Sequence, residues 1–280
     1  MRGFTLALVL SLVSVCSAFA DRTPTAFQPG TGIPNPGARG EGSFWSEPPD
    51  LNGLIGSSEQ ILSLGLETEL ANDFVADVCY IFEATWWGGY FSNTTPCSPG
   101  IPTPGFNLRF YEDAGCVPGN IIADLPITHF TEEVVGCQAG MYPLFKWTAN
   151  AGNVPVLIGN VYWFGAQMMD HAYPPQAGRL ASMGVVGCES VFKSPYFGYP
   201  DWTHVSEAFG VAFDCSQEFR EGVGAPRACC WPDGSCTVED VAACSDFGGI
   251  VMNACSCDPN PCHPTPTKTT SWGSIKTWYR

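Results

Sequence analysis

Phe74-Val75-Ala76-Asp77-Val78-Cys79-Tyr80-Ile81-Phe82 decides the fold class of this chain. Read at a period of two, it sets Phe74, Val78, Tyr80 and Phe82 on one face. That is the alternation of a half-buried β-strand, not the 3.6-residue stripe of a helix. Outward from it, short apolar runs of the same kind recur: Phe106 to Glu112, Ile121 to Phe130, Tyr142 to Thr148, Val154 to Ile158, Val161 to Met168, Leu180 to Val185 and Glu207 to Asp214. Turn clusters such as Asp113-Ala114-Gly115 and Val117-Pro118-Gly119-Asn120 separate them. Many short strands at this spacing predict an all-β chain with an antiparallel, jelly-roll-like β-sandwich over residues 59–216. No strand alternates with a long helical pattern, so a doubly wound α/β fold is excluded.

Upstream, residues 21–58 hold six Pro and seven Gly, a composition that fixes turns and predicts an irregular arm, with Phe44 and Trp45 pinning it to the body. Residues 1–20 read as a secretory signal peptide: Arg2, an apolar run from Phe4 to Val15, then Ala18-Phe19-Ala20 for cleavage. Cys16 at the end of that run offers a lipoprotein alternative, although Val15 is larger than the residue that normally precedes an acylated cysteine. Either reading exports the chain, to the outside or to the cell surface.

Downstream, residues 226–263 form a cysteine-rich module, where seven of the fourteen cysteines fall: Cys229, Cys230, Cys236, Cys244, Cys255, Cys257 and Cys262. Disulfides are expected there, because an exported segment too short for its own core needs cross-links and no Cys-x-x-Cys pair favours zinc. Thr237 is expected to cap a short helix, with Asp240 as its reciprocal partner. Cys79, Cys97, Cys116, Cys137, Cys188 and Cys215 lie in the body. Six cysteines allow fifteen pairings. Cys97 with Cys116, across a loop, and Cys79 with Cys215, between first and last strands, are the pairs expected here. Thirteen cysteines outside the signal peptide leave one thiol free or paired between chains. Residues 264–280 make a Pro-Thr linker and a basic aromatic tail, with Lys268, Lys276, Arg280, Trp272, Ile275 and Tyr279, read either as an export-sorting address or as a frayed end.

The formal net charge of −15 argues against nucleic acid, whose phosphates require basic patches. No Asp-x-Asp-x-Asp-Gly calcium loop, Gly-x-Ser-x-Gly elbow, His-Glu-x-x-His or phosphate-binding glycine loop occurs. No cofactor is expected, and His129, His171, His204 and His263 read as surface or hydrogen-bonded histidines. Carboxylate pairs occur at Glu67/Glu69, Glu112-Asp113 and Glu132-Glu133, and two carboxylates in one cleft could serve a glycosidase. The loop Ser194 to His204 carries four aromatic rings, and Tyr196, Tyr199 and Trp202 are the candidate ligand-binding residues, since flat exposed rings stack on sugar faces. Burial of the same rings over one end of the sandwich is the competing reading. Asn93-Thr94-Thr95 is a glycosylation sequon, of consequence only in a host that modifies such motifs.

Ala71-Asn72-Asp73-Phe74, Trp86-Trp87-Gly88-Gly89-Tyr90-Phe91, Leu108 to Asp113 with Pro118-Gly119, and Val161-Tyr162-Trp163-Phe164 together resemble a β-sandwich domain of secreted and surface proteins of environmental bacteria. The resemblance implies a fold and no catalytic residue. The module resembles a small bacterial unit with Cys-Cys-x-x-x-Gly-x-Cys, a one-cysteine helix, Gly-Gly and Pro-Cys; that unit has six cysteines, so the resemblance implies that Cys255-Ser256-Cys257 supplies one too many and that Cys255 or Cys257 is the odd thiol. The end, Trp272 to Arg280, looks like tails of other secreted bacterial proteins. The expected function is therefore non-catalytic adhesion, or recognition of a glycan or a cell-surface or matrix component, with export machinery as a further partner. An extracellular polysaccharide hydrolase is the alternative.

Overall fold

The computed structural model describes residues 23–31, 43–92, 96–222 and 224–262. The expected signal peptide, Cys16, the sequon, His263 and the tail lie outside them. Two antiparallel sheets carry the body. The larger runs Phe27–Gln28, Ile55–Ser57, Gln176–Leu180, Tyr80–Phe91, Tyr142–Pro155, Thr131–Gln138; Gln217–Arg220 joins it beside Tyr80–Phe91 and pairs in turn with Trp45–Glu47. The smaller runs Tyr199–His204, Val191–Ser194, Glu69–Val75, Val161–Met168, Phe106–Asp113, Pro118–Ile127.

The sheets meet through aromatic rings. Phe74, Phe110 and Phe164 of the smaller sheet face Trp86, Trp147 and Phe219 of the larger one in one buried cluster. Phe74 and Phe219 approach to 4.5 Å between ring centroids, and Phe164 and Phe219 to 5.1 Å. These rings are the inward half of a period-two pattern, so each strand is committed to one face by its own alternation. Arg179, fully buried, reaches across the same gap to the carbonyls of Leu70 (3.2 Å) and Phe164 (2.8 Å) and to Gln217 Oε1 (3.1 Å). Gly88 is required by close packing of strands, because a Cβ there would lie 2.1 Å from the Gly178 carbonyl oxygen.

Several expectations need correction. The stretch Phe74 to Phe82 is a corner, not a strand: Glu69–Val75 ends in the smaller sheet and Tyr80–Phe91 starts in the larger. The turn shifts the phase, so Ile81 is buried and Phe82 is exposed. Tyr142 to Thr148 and Val154 to Ile158 are mostly one strand, Tyr142–Pro155, with a register shift between Asn150 and Val154. The strand expected over Glu207 to Asp214 is instead a short helix, Val205–Phe209, and a loop. The arm is not wholly irregular: it lends Phe27–Gln28, Trp45–Glu47 and Ile55–Ser57 to the larger sheet, with Phe44 stacked on Phe219.

The cysteine pairs also differ. Cys97 bonds Cys137 and Cys116 bonds Cys188, not each other. Cys79 bonds Cys255, and Cys215 keeps a buried free thiol, which replaces Cys255 or Cys257 as the odd cysteine. Cys215 is fully buried near Arg179, and burial holds its thiol above the ordinary range. In the module, Cys229–Cys244, Cys230–Cys262 and Cys236–Cys257 close around a three-stranded sheet, Cys236–Asp240, Pro226–Cys230, Ile250–Val251. Thr237 lies in a strand there. Asp240 is itself the N-cap of helix Val241–Asp246 and accepts from the Ala242 and Ala243 amides at 2.8 and 3.3 Å.

Candidate functional site

The outer face of the smaller sheet opposes the core and bears polar groups. Along Glu69–Val75 the inward side chains are Leu70 and Phe74, which leaves Glu69 outward. Arg109 and Tyr111 alternate with Leu108 and Phe110 in the same way, as Gln167 does with Ala166 and Met168. These outward residues floor a cleft of about 630 Å³, walled by Lys193, Pro195, Pro200 and Trp202 and edged by Glu67, Gly119, Ile121 and Asp124.

Glu69 organises the floor. Tyr111 donates its hydroxyl to Glu69 Oε1 at 2.7 Å, and Arg109 donates to Oε2 at 2.8 Å. Arg109 also donates to Gln167 Oε1 at 3.2 Å and to Asp124 Oδ2 at 3.3 Å. Burial pushes the Glu69 carboxyl above the ordinary carboxylate range, while the Arg109 guanidinium and the Tyr111 hydroxyl pull it back. Burial, and then the neighbouring Glu69 charge, keep the Tyr111 hydroxyl protonated far above neutral pH. Gly165, opposite Arg109 and Ala71 in the sheet, leaves room for the carboxylate: a Cβ at Gly165 would lie 2.3 Å from Glu69 Oε1.

Of the three aromatic candidates, the structure brings one to the cleft. Trp202 forms its wall, with the Tyr111 ring edge-on at 5.7 Å and the Lys193 ammonium 5.8 Å from its centroid. Tyr199 belongs to the other side: it packs on Phe192 at 5.8 Å and donates its hydroxyl to the Ala208 carbonyl at 3.3 Å. Tyr196 stands exposed in the turn Pro195–Phe197, outside the cleft lining, against the edge of Phe197. Strand Tyr199–His204 carries both Tyr199 and Trp202, and because they stand three residues apart its alternation sends them to opposite faces.

The paired carboxylates separate by environment. Glu67 and Glu69 line one cleft. Asp113 instead holds the Trp163 indole at 2.8 Å, and Glu132 the Trp147 indole at 2.7 Å. His171 is buried and bonds Glu59 Oε2 at 2.9 Å, while His204 lies 3.8 Å from Glu189. His129 lines a shallow depression with Glu83 and Phe130. Among the described residues, no group of three or more His, Cys, Asp and Glu side chains is arranged to hold a metal ion.

Sequence reasoning missed Arg109, Tyr111, Gln167 and Lys193. The usable signal was the outward half of each period-two run, whose polar members converge once three strands lie side by side. Comparison with family models, with curated proteins and with solved structures finds no match to this chain.

Proposed function

We propose that the chain is an exported protein whose sandwich binds a saccharide in this cleft without turning it over. The observation that carries this is the pairing of the Trp202 wall with the Glu69–Arg109–Tyr111–Gln167 floor, an aromatic face beside fixed donors and acceptors. A sugar has one apolar face and a rim of hydroxyls, and the two surfaces match it. Six disulfides support export, since such cross-links persist in oxidising compartments. Among the described residues no helix is long and apolar enough to cross a membrane.

Binding is favoured over hydrolysis by the state of Glu69. Both of its oxygens already accept from Tyr111 and Arg109, which suits a group that positions its neighbours better than one that exchanges protons with substrate. A glycan array and a reducing-sugar release assay on one preparation test the reading. Binding without release is expected, with Trp202→Ala costing on the order of tenfold or more in affinity at unchanged melting temperature. Release of reducing ends that Glu67→Gln or Glu69→Gln abolishes would replace this reading with a hydrolase.

A further inference from the structure

The charges around the cleft narrow its ligand, an inference that rests on the saccharide reading above. Three carboxylates, Glu67, Glu69 and Asp124, line it with two cations, Arg109 and Lys193. Arg109 is shared between Glu69 and Asp124. Glu67 is exposed, and among the described residues no donor reaches its carboxylate. The Asp124 side chain is 49% exposed and gives Arg109 a single oxygen. Lys193 is exposed and lies over the Trp202 ring, on a flexible stem that can move aside. The whole chain, at −15, adds a field of the same sign as the two open carboxylates.

We propose that the cleft takes a saccharide bearing free amines, with Glu67 and Asp124 receiving its ammonium groups and Trp202 stacking on a sugar face. An ammonium near this wall gains attraction to the indole face as well as to the carboxylates. A polyuronate would have to pass Glu67 and Asp124 to reach one lysine, and the charge of the whole chain opposes its approach.

Calorimetric titration of the full chain at about pH 5.5, where carboxylates are ionised and sugar amines protonated, uses three probes. They are a glucosamine hexamer, its fully N-acetylated counterpart and a galacturonate hexamer. The glucosamine hexamer is expected to bind at least about tenfold tighter than the other two, with affinity falling as salt rises. The double variant Glu67→Gln, Asp124→Asn is expected to remove that advantage, so that the glucosamine and N-acetylated hexamers bind it alike. Both positions are open to solvent, and an unchanged melting curve verifies that the variant is folded. Equal or tighter binding of the N-acetylated or uronate hexamer overturns the amine proposal and leaves the saccharide reading standing. Binding of none of the three, in the protein with Trp202 intact, overturns both.

Discussion

Gly165 shows how one missing atom shapes the cleft. Its backbone is ordinary strand, so the position requires glycine for space alone. The atom a Cβ would meet is the Glu69 carboxylate, and that carboxylate is fixed by Tyr111 and Arg109 instead of being a free end that can swing away. Gly165→Ala therefore forces a shift through the whole floor. The expected cost is about 1–3 kcal/mol of stability, as for other overpacked sites, together with weakened saccharide binding. Gly184, with nothing within 4 Å of its built Cβ, is the control: Gly184→Ala should stay within about 0.5 kcal/mol. Denaturant midpoints of the two variants decide it, and equal midpoints would show that the floor has slack. At this scale the sequence was legible only in part. Trp202 and the Glu67/Glu69 pair stood out by residue type. Tyr199 was misplaced because the stretch read as a loop is a strand from Tyr199 onward, and alternation sends Tyr199 and Trp202 to opposite faces.

Elements were legible where alternation ran unbroken and misread where a turn kept the period but moved the phase. Val161–Met168 has the bounds its pattern predicts. Phe74 to Phe82 kept its alternation across Asp77, yet the chain crosses there from one sheet to the other. The Cys79–Cys255 bond was illegible for a different reason: its partners lie 176 residues apart, and only the folded corner brings Cys79 to the module. That bond is the covalent tie between two units that each hold their own cross-links. Replacing both cysteines, Cys79→Ser with Cys255→Ser, should lower stability by about 2–4 kcal/mol and leave the other five disulfides formed. Limited proteolysis should then cut faster at the connection around residues 221–225, where the body's last strand gives way to the module's first. An unchanged midpoint with unchanged cleavage would show that noncovalent packing alone holds the module in place.

Across the whole molecule, acidity is built into the interior as well as the surface. Asp73 and Asp214 are buried beneath the loop that joins Leu180 to Val191. Asp73 accepts the Cys188 amide at 3.1 Å and Asp214 the Val186 amide at 2.5 Å, so both brace one loop. Each has its Oδ1 buried with no partner. Burial first, then neighbouring carboxylates, raise Asp73 to about 6 and Asp214 to about 7, and the same causes raise Glu47. A carboxyl with a folded pKa above its unfolded one binds its proton more tightly when folded, so folding loses stability as pH climbs from the unfolded value through the folded value. For these aspartates that window runs from about 4 to about 7. His171 adds the same sign. Burial lowers its pKa, but its bond to Glu59 and the Glu59 charge outweigh that and raise it, so its contribution is complete below about 6.5 and lost above its folded pKa. Stability should therefore fall between pH 5 and pH 8 by a few kcal/mol, since each tenfold gain in proton affinity on folding is worth about 1.4 kcal/mol. Asp214→Asn keeps an oxygen for the Val186 amide and removes the ionisation, so it should raise the midpoint at pH 8, change it little at pH 5, and flatten the profile between them. Urea midpoints of both proteins across that range measure it. A native midpoint that rises from pH 5 to pH 8 would mean that these buried carboxyls find charge partners and stay ionised throughout.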